Sequence, residues 1–98
     1  MISTVIDLYE LNKDVFRIMC DDSVFFDMSM NILSLKKNDK LVIDACQPRD
    51  NTYDVVLQGV VYGRDGDYLA ASFGGLIAQL PICMDVGDNP IIIGIKKQ

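Results

Sequence analysis

An alternation of apolar and polar residues between positions 24 and 32 limits what this chain can fold into more than any other feature. Every second residue is apolar, namely Val24, Phe26, Met28, Met30 and Ile32. The residues between them are polar, except Phe25. A period of two is typical of a β-strand with one face in the core and the other in water. Ile32 and Leu33 are adjacent, and this slip in phase predicts a β-bulge near Leu33.

Other segments rich in β-branched and aromatic residues predict further strands, whereas helical periodicity is hard to find. These segments are residues 16–20, 41–46, 53–62, 68–73, 76–80 and 90–95. Turns or loops are expected between them, at residues 21–23, 36–40 (as a hairpin), 47–52, 64–67 and 85–89. About seven or eight short strands at this spacing favour an antiparallel barrel or sandwich. We expect one all-β domain that spans residues 1–98.

Residues 68–84 carry no charge, so a membrane span, two buried strands and one bent strand are all alternatives. Glycines, polar residues and Pro81 interrupt this stretch, and it is shorter than the about 20 apolar residues that a span needs. Buried strands are therefore favoured. Gly74 and Gly75 predict either a two-residue hairpin or a sharp barrel corner, and either one lets another backbone approach closely. Gly59 also predicts a bend or a close approach.

The charge balance disfavours one class of function, and the lack of histidine excludes several others. Lys and Arg number 9 against 14 Asp and Glu, which gives a net charge of −5. A free-standing nucleic-acid binder needs clustered basic side chains instead. Because the chain has no His, Ser-His-Asp catalysis, Cys-His catalysis and every zinc site with a His ligand are excluded. The chain also has no glycine-rich nucleotide-binding motif.

Cysteine and aspartate side chains are the remaining candidates for reactive or metal-binding groups. Cys20, Cys46 and Cys83 form no C-x-x-C motif, and their odd number argues against a disulfide framework. We therefore expect reduced, mostly buried thiols. The acidic pairs at residues 21–22 and 65–67 lie in expected turns, where aspartate usually bonds to nearby backbone. We predict no catalytic residue, no cofactor and no metal ligand.

Residues 68–80 (YLAASFGGLIAQL) contain an aromatic residue, two glycines and two aliphatic residues, with Phe73-Gly74-Gly75-Leu76 at their centre. This segment resembles the signature of the eighth common subunit shared by the eukaryotic nuclear RNA polymerases I, II and III. Residues 57–62 resemble the family's glycine-containing strand before that hairpin. Four other segments are similar to the family in order and approximate spacing: residues 15–20, 26–32, 38–41 and 90–97. The chain is a shortened form, because the long loop between the fourth and fifth strands of the family is reduced here.

The resemblance implies a barrel of about eight strands, similar to the oligonucleotide/oligosaccharide-binding (OB) fold. It also implies a non-catalytic polymerase subunit in the nucleus, or in the nucleolus if it belongs to RNA polymerase I. Its partners would be the largest subunit and the rest of the enzyme, with no direct contact to nucleic acid and no membrane. Within this resemblance we expect the docking surface at Phe73, Gly74, Gly75, Leu76 and Tyr62, since exposed backbone and an aromatic anchor favour strand pairing with a partner.

Two other functions remain as alternatives at this stage. OB-type barrels often bind single strands through stacked aromatic side chains, so a stand-alone single-stranded nucleic-acid-binding domain is the main one. The acidic net charge disfavours it. A small enzyme that uses paired aspartates is the other, and no further ligand or base lies close to those aspartates in the sequence.

Overall fold

The computed structural model describes residues 1–84 and 90–98, and within them it contains eight β-strands and one short 3₁₀ turn. The elements are β1 (Ile2–Asn12), β2 (Val15–Cys20), β3 (Phe25–Ser29), β4 (Lys40–Ala45), β5 (Val55–Asp65), β6 (Tyr68–Phe73), β7 (Leu76–Pro81), the 3₁₀ turn (Ile82–Met84) and β8 (Ile91–Lys97). The predicted all-β class is confirmed. No helix in the described part of the chain is long and apolar enough to cross a membrane. The loop predicted at residues 85–89 lies outside the described residues.

All eight strands pair with antiparallel neighbours to form one closed ring. The order around the ring is β1-β2-β3-β7-β6-β5-β8-β4, and β4 pairs again with β1. The two longest strands, β1 and β5, each change partner along their length. Residues 2–4 pair with β4 and residues 5–12 with β2. Residues 55–59 pair with β8 and residues 60–65 with β6, so these two strands join the halves of the sheet.

The core lies inside the ring and is built from the inward side chain of every second residue. The largest fully buried side chains include Phe26, Ile18, Met28, Leu41 and Ile43. Phe26 and Met28 confirm the alternation in the middle of the predicted strand. The last strand is buried along most of its length, as its uninterrupted apolar run predicts, because the Tyr53 ring covers its outer side at Gly94.

The alternating strand is shorter than its sequence pattern predicts. β3 ends at Ser29, whose carbonyl accepts a hydrogen bond from the Ile32 N–H at 3.1 Å, and the chain turns there. The Met30 N–H donates to the Asp14 carbonyl at 2.7 Å, toward the turn between β1 and β2. Ile32 is 59% exposed. The predicted continuation to Ile32 and the predicted bulge near Leu33 are therefore wrong, because these residues follow the strand.

The sequence pattern also misses β1, and it misassigns the loop at residues 36–40. β1 carries register shifts between Val5 and Asp7 and between Glu10 and Asn12, and these bulges destroy its alternation. The predicted hairpin at residues 36–40 is wrong, because β3 and β4 are not neighbours in the ring. This loop instead lies beside β1 and is bonded to it, because the Val5 N–H donates to the Asp39 carbonyl at 2.9 Å.

The glycines predicted to allow bends or close contacts have two different roles. A Cβ placed on Gly59 would overlap the Ser72 carbonyl oxygen and the Phe73 ring, which confirms the predicted close approach. Gly74 and Gly75 form a two-residue hairpin turn between β6 and β7, with φ values of +65° and +94°. Nothing lies within 4 Å of a Cβ placed on either of these two residues. They are required for backbone conformation, and the predicted close approach is wrong there.

The three cysteines are free, as expected, and differ in exposure. Cys20 is buried, Cys46 is half-buried and Cys83 is exposed. Burial raises the pKa of the Cys20 thiol to about 11. The expectation of mostly buried thiols is wrong for Cys83, because the short 3₁₀ turn places it on the surface.

We predict that Gly59→Ala destabilises the fold by about 1–3 kcal/mol, because the new methyl group must displace the Ser72 carbonyl and the Phe73 ring. Gly63→Ala is the matched control in the same strand. A Cβ at Gly63 would meet only the Ala70 Cβ, at an ordinary 3.9 Å, so the change there stays within about 1 kcal/mol. Urea unfolding of the two variants measures the difference, and equal midpoints would contradict the prediction.

Candidate functional site

The structure places four of the five predicted interface residues at one end of the β6–β7 hairpin. Phe73 pairs with Leu76, and Gly74 and Gly75 form the exposed turn between them. Tyr62 lies on the neighbouring strand β5, 61% exposed. It is the extra residue of a bulge between Val61 and Gly63. The five residues are therefore near one another along paired strands.

Their side chains do not share one face of the sheet. Phe73 packs against the buried core, and its ring lies against the Gly59 backbone. Leu76 is half-buried. Tyr62 points outward, because its neighbour Val61 is buried in the core. The hairpin end thus presents two glycines to the outside, and the nearest exposed large side chains belong to β5.

A bidentate ion pair lies on the outer face of the neighbouring strands. Arg17 of β2 stands opposite Asp27 of β3, one residue away from the inward pair formed by Ile18 and Phe26. The Arg17 Nε donates to Asp27 Oδ1 at 2.8 Å, and the Nη2 donates to Oδ2 at 3.1 Å. The planar guanidinium suits this two-point contact with a carboxylate.

Asp27 is buried although it points outward, with a relative exposure of 6%. Its Oδ2 also accepts a hydrogen bond from the Ile77 N–H of β7 at 3.2 Å. The register between β3 and β7 contains only two residue pairs, Phe25 with Gln79 and Phe26 with Ala78. The next pair along this register would join Asp27 to Ile77. The carboxylate therefore extends the pairing of two strands where their main-chain pairing stops.

Arg17 also contacts aromatic side chains on this outer face. Its guanidinium carbon lies 4.8 Å from the centre of the Phe25 ring, a cation–π contact. The hydrogen bond to Asp27 raises the pKa of the Arg17 guanidinium, with a smaller electrostatic contribution from the Tyr62 hydroxyl. Tyr62 belongs to β5, which β6 and β7 separate from β3 in the ring. Beside it, Val60 is 54% exposed.

We call Arg17, Phe25, Val60 and Tyr62 the outer patch. It consists of two exposed side chains on β5 and, on the far side of β6 and β7, a paired cation over an aromatic ring on β2 and β3. Such a surface has little charge to offer a phosphate, since the one guanidinium in it is held by a carboxylate. Burial of apolar area by a protein partner is the chemistry that it fits.

Acidic side chains outside this patch are mostly occupied by neighbouring hydrogen-bond donors. Asp21 Oδ1 accepts from the Ser3 hydroxyl at 2.7 Å and from the Thr4 N–H at 3.0 Å. Both bonds lower the pKa of the Asp21 carboxyl group, and the bond from the Thr4 N–H has the larger effect. Asp21 lies in the predicted turn, but its carboxylate bonds to β1 and not to nearby backbone of that turn as predicted. Among residues 1–84 and 90–98, no three acidic, cysteine or histidine side chains come together to hold a metal ion.

Sequence reasoning missed the ion pair, although one signal for it was present. Asp27 was assigned to the water-facing side of its strand, and Phe25 was the only exception to the alternation. The structure explains both, because Phe25 lies on the outer face beneath the Arg17 guanidinium and Asp27 is enclosed there. An aromatic residue on the polar side of an alternating strand marks an outer face that is itself covered.

No protein-family model matches this chain, and a search of curated proteins finds no match either.

We predict that Asp27→Asn destabilises the protein by about 2–4 kcal/mol, because the amide cannot neutralise the partly buried Arg17. The amide oxygen still accepts the Ile77 N–H, so the change mainly tests the ion pair. Asp65→Asn is the control, since Asp65 is exposed at the end of β5, and a surface change of this kind stays within about 0.5 kcal/mol. Urea unfolding compares the two, and equal losses would show that the ion pair contributes little.

Proposed function

We propose that this chain is a non-catalytic structural subunit of a DNA-directed RNA polymerase. In this role it docks on the largest subunit, supports assembly of the enzyme, and acts in the nucleus (or in the nucleolus within RNA polymerase I). The observation that carries the proposal is the exposed pair Val60 and Tyr62 on β5, the strand that pairs with β6 of the two-glycine hairpin. Both lie in the segments, residues 57–62 and 68–80, on which the resemblance to the common subunit rests.

The arrangement of strands supports the finer part of the proposal, an OB-like barrel. OB barrels are closed or partly open sheets in which strands bend sharply to serve both sides of the barrel. Here β1 and β5 each serve two partners, and Gly59 stands at the change of partner in β5. A barrel of this size is filled by its own side chains, so we assign the binding function to its outside.

The charge distribution favours a protein partner over a nucleic acid. The exposed aromatic Tyr62 is suited to stacking on a base. A single-strand site also needs a groove of free basic side chains. Arg17 is bound to Asp27, and the net charge is −5. The acidic balance of the molecule therefore disfavours the alternative of a stand-alone nucleic-acid-binding domain.

Tyr62→Ser is expected to reduce recovery of the largest polymerase subunit with the tagged chain by about thirtyfold, as loss of a central aromatic anchor costs on the order of 2 kcal/mol. Ile2→Ser is the matched control, because Ile2 is 62% exposed against 61% for Tyr62 and lies in β1, where it pairs with β4. The measurement is affinity purification from the source cells, with the co-purified chains identified and quantified by mass spectrometry.

Three results would count against the proposal. The first is that the largest subunit fails to co-purify with the unaltered chain. The second is that Tyr62→Ser and Ile2→Ser retain the largest subunit equally. The third is that the isolated chain binds a labelled single-stranded oligonucleotide tightly and with a steep salt dependence in fluorescence anisotropy, which would favour the nucleic-acid-binding alternative.

A further inference from the structure

One stretch of strand edge in this closed sheet has no neighbouring strand. Residues 2–4 of β1 pair with β4, and residues 5–12 pair with β2 alone. Beyond Val5, which bonds to the loop at Asn38 and Asp39, the side of β1 that faces away from β2 meets no other strand of the described chain. We call residues 6–11 on this side the free edge.

The main-chain groups on the free edge follow from the register. The Cys20 N–H donates to the Val24 carbonyl at 2.8 Å, so the even-numbered residues of β2 direct their main-chain groups toward β3. Arg17 therefore directs its groups toward β1, where it stands opposite Tyr9. In an antiparallel pair the residues on either side of such a bonded pair point the other way. Leu8 and Glu10 thus direct their N–H and C=O groups to the free edge.

A side chain already occupies one of these groups. Asp7 Oδ1 accepts the Leu8 N–H at 2.9 Å, in agreement with an outward direction for that group. No hydrogen bond from the described residues reaches the Leu8 carbonyl or the main-chain groups of Glu10. One donor and two acceptors therefore remain open along this edge. The bulge at Ile6 and the hydrogen bond from the Leu8 N–H to Asp7 limit the length of this edge. Natural edge strands commonly carry bulges and charged side chains of this kind.

The side chains around the free edge define what can pair with it. Ile6, Tyr9 and Leu11 are exposed by 55%, 53% and 47%, so a strand added here would cover apolar surface. The two charged side chains of residues 6–11 are acidic. Glu10 is exposed, and the Asp7 Oδ1 forms an ion pair with the Lys37 Nζ at 3.7 Å. A second copy paired antiparallel about Tyr9 would place the two Glu10 carboxylates diagonally on one face, and this like-charge pair disfavours self-association.

We propose that the free edge of β1 binds an extended, basic segment of a partner protein by strand addition. The added strand bonds to the Leu8 carbonyl and to the N–H and C=O of Glu10, while its lysine or arginine side chains lie on the sheet face of the Glu10 carboxylate. Main-chain bonds supply affinity in this mode of recognition, and alternate side chains supply specificity. The proposal does not depend on the polymerase assignment, because it concerns β1 rather than the outer patch.

The test uses the isolated chain at an ionic strength of about 0.15 M and three short labelled peptides: alternating lysine and valine, alternating lysine and proline, and alternating glutamate and valine. The lysine–proline peptide has the same charge as the first but offers no main-chain donor at its prolines. We expect the lysine–valine peptide to bind at least about tenfold more tightly than either other peptide in fluorescence anisotropy. It should also slow hydrogen exchange at the Glu10 amide by at least about tenfold.

Two variants at one position separate the main chain from the charge. Glu10→Pro removes the open N–H without touching a bond to β2, and we expect it to abolish binding of the lysine–valine peptide. Glu10→Ala keeps the N–H and removes only the carboxylate, so it should weaken binding by no more than about tenfold. Amide exchange in the unaltered chain gives an answer even if Glu10→Pro fails to fold.

The proposal is overturned by any of four results. These are no binding of the lysine–valine peptide, equal binding of the two lysine peptides, protection of amides on β5 in place of Glu10, and protection of the Glu10 amide without peptide in a self-associated state. The last result would identify a second copy of the chain as the occupant.

Discussion

The closed sheet depends on the contact between the Asp27 carboxylate, Arg17 and the Ile77 N–H. Along the ring, β1, β2 and β3 form one run of neighbours and β7, β6 and β5 form the next. β3 and β7 join these two runs through two residue pairs. The carboxylate supplies the next bond of that seam from a side chain. An ionised group with 6% exposure costs several kcal/mol unless it is paired. Arg17 offsets this cost, and it spans from β2 across β3 to do so.

Two other side chains reinforce the same seam from its end. Tyr68 of β6 donates its hydroxyl to the Asp22 carbonyl at 3.1 Å, and the Gln79 amide of β7 donates to the Ser23 carbonyl at 2.6 Å. Both acceptors lie in the turn between β2 and β3. The seam is thus a short backbone ladder with side-chain bonds on both sides, and one strand, β6, separates it from β5, which carries the exposed Val60 and Tyr62.

The sequence predicts those parts of the fold that depend on local patterns of apolar, polar and turn-forming residues. β2 could be located because it has a period of two and ends in turn residues, and β6 because an apolar run lies between two glycine-containing turns. β1 could not, because its two bulges shift the period within eleven residues. The pairing of β3 with β7 joins residues about fifty positions apart, and no local pattern encodes such a partner. The hairpin at residues 36–40 was misassigned for the same reason.

The candidate site shows the same division between local and distant information. The two-glycine turn follows from its own residues, since both glycines adopt positive φ values. The inward direction of Phe73 does not, because it depends on the space left by Gly59 on another strand. The burial of Asp27 depends on Arg17 and Ile77 together. Phe25 was the one residue whose position in the sequence indicated a covered outer face.

The seam also determines the order in which this molecule can assemble. β1, β2 and β3 follow one another through short turns, as do β5, β6 and β7, so each set of three can form from contacts close in sequence. Joining β3 to β7 closes a far longer loop, whose entropy must be lost before the seam gains its few bonds. We therefore expect closure to follow the two local units. Until it occurs, the inward faces of both units lie open to solvent.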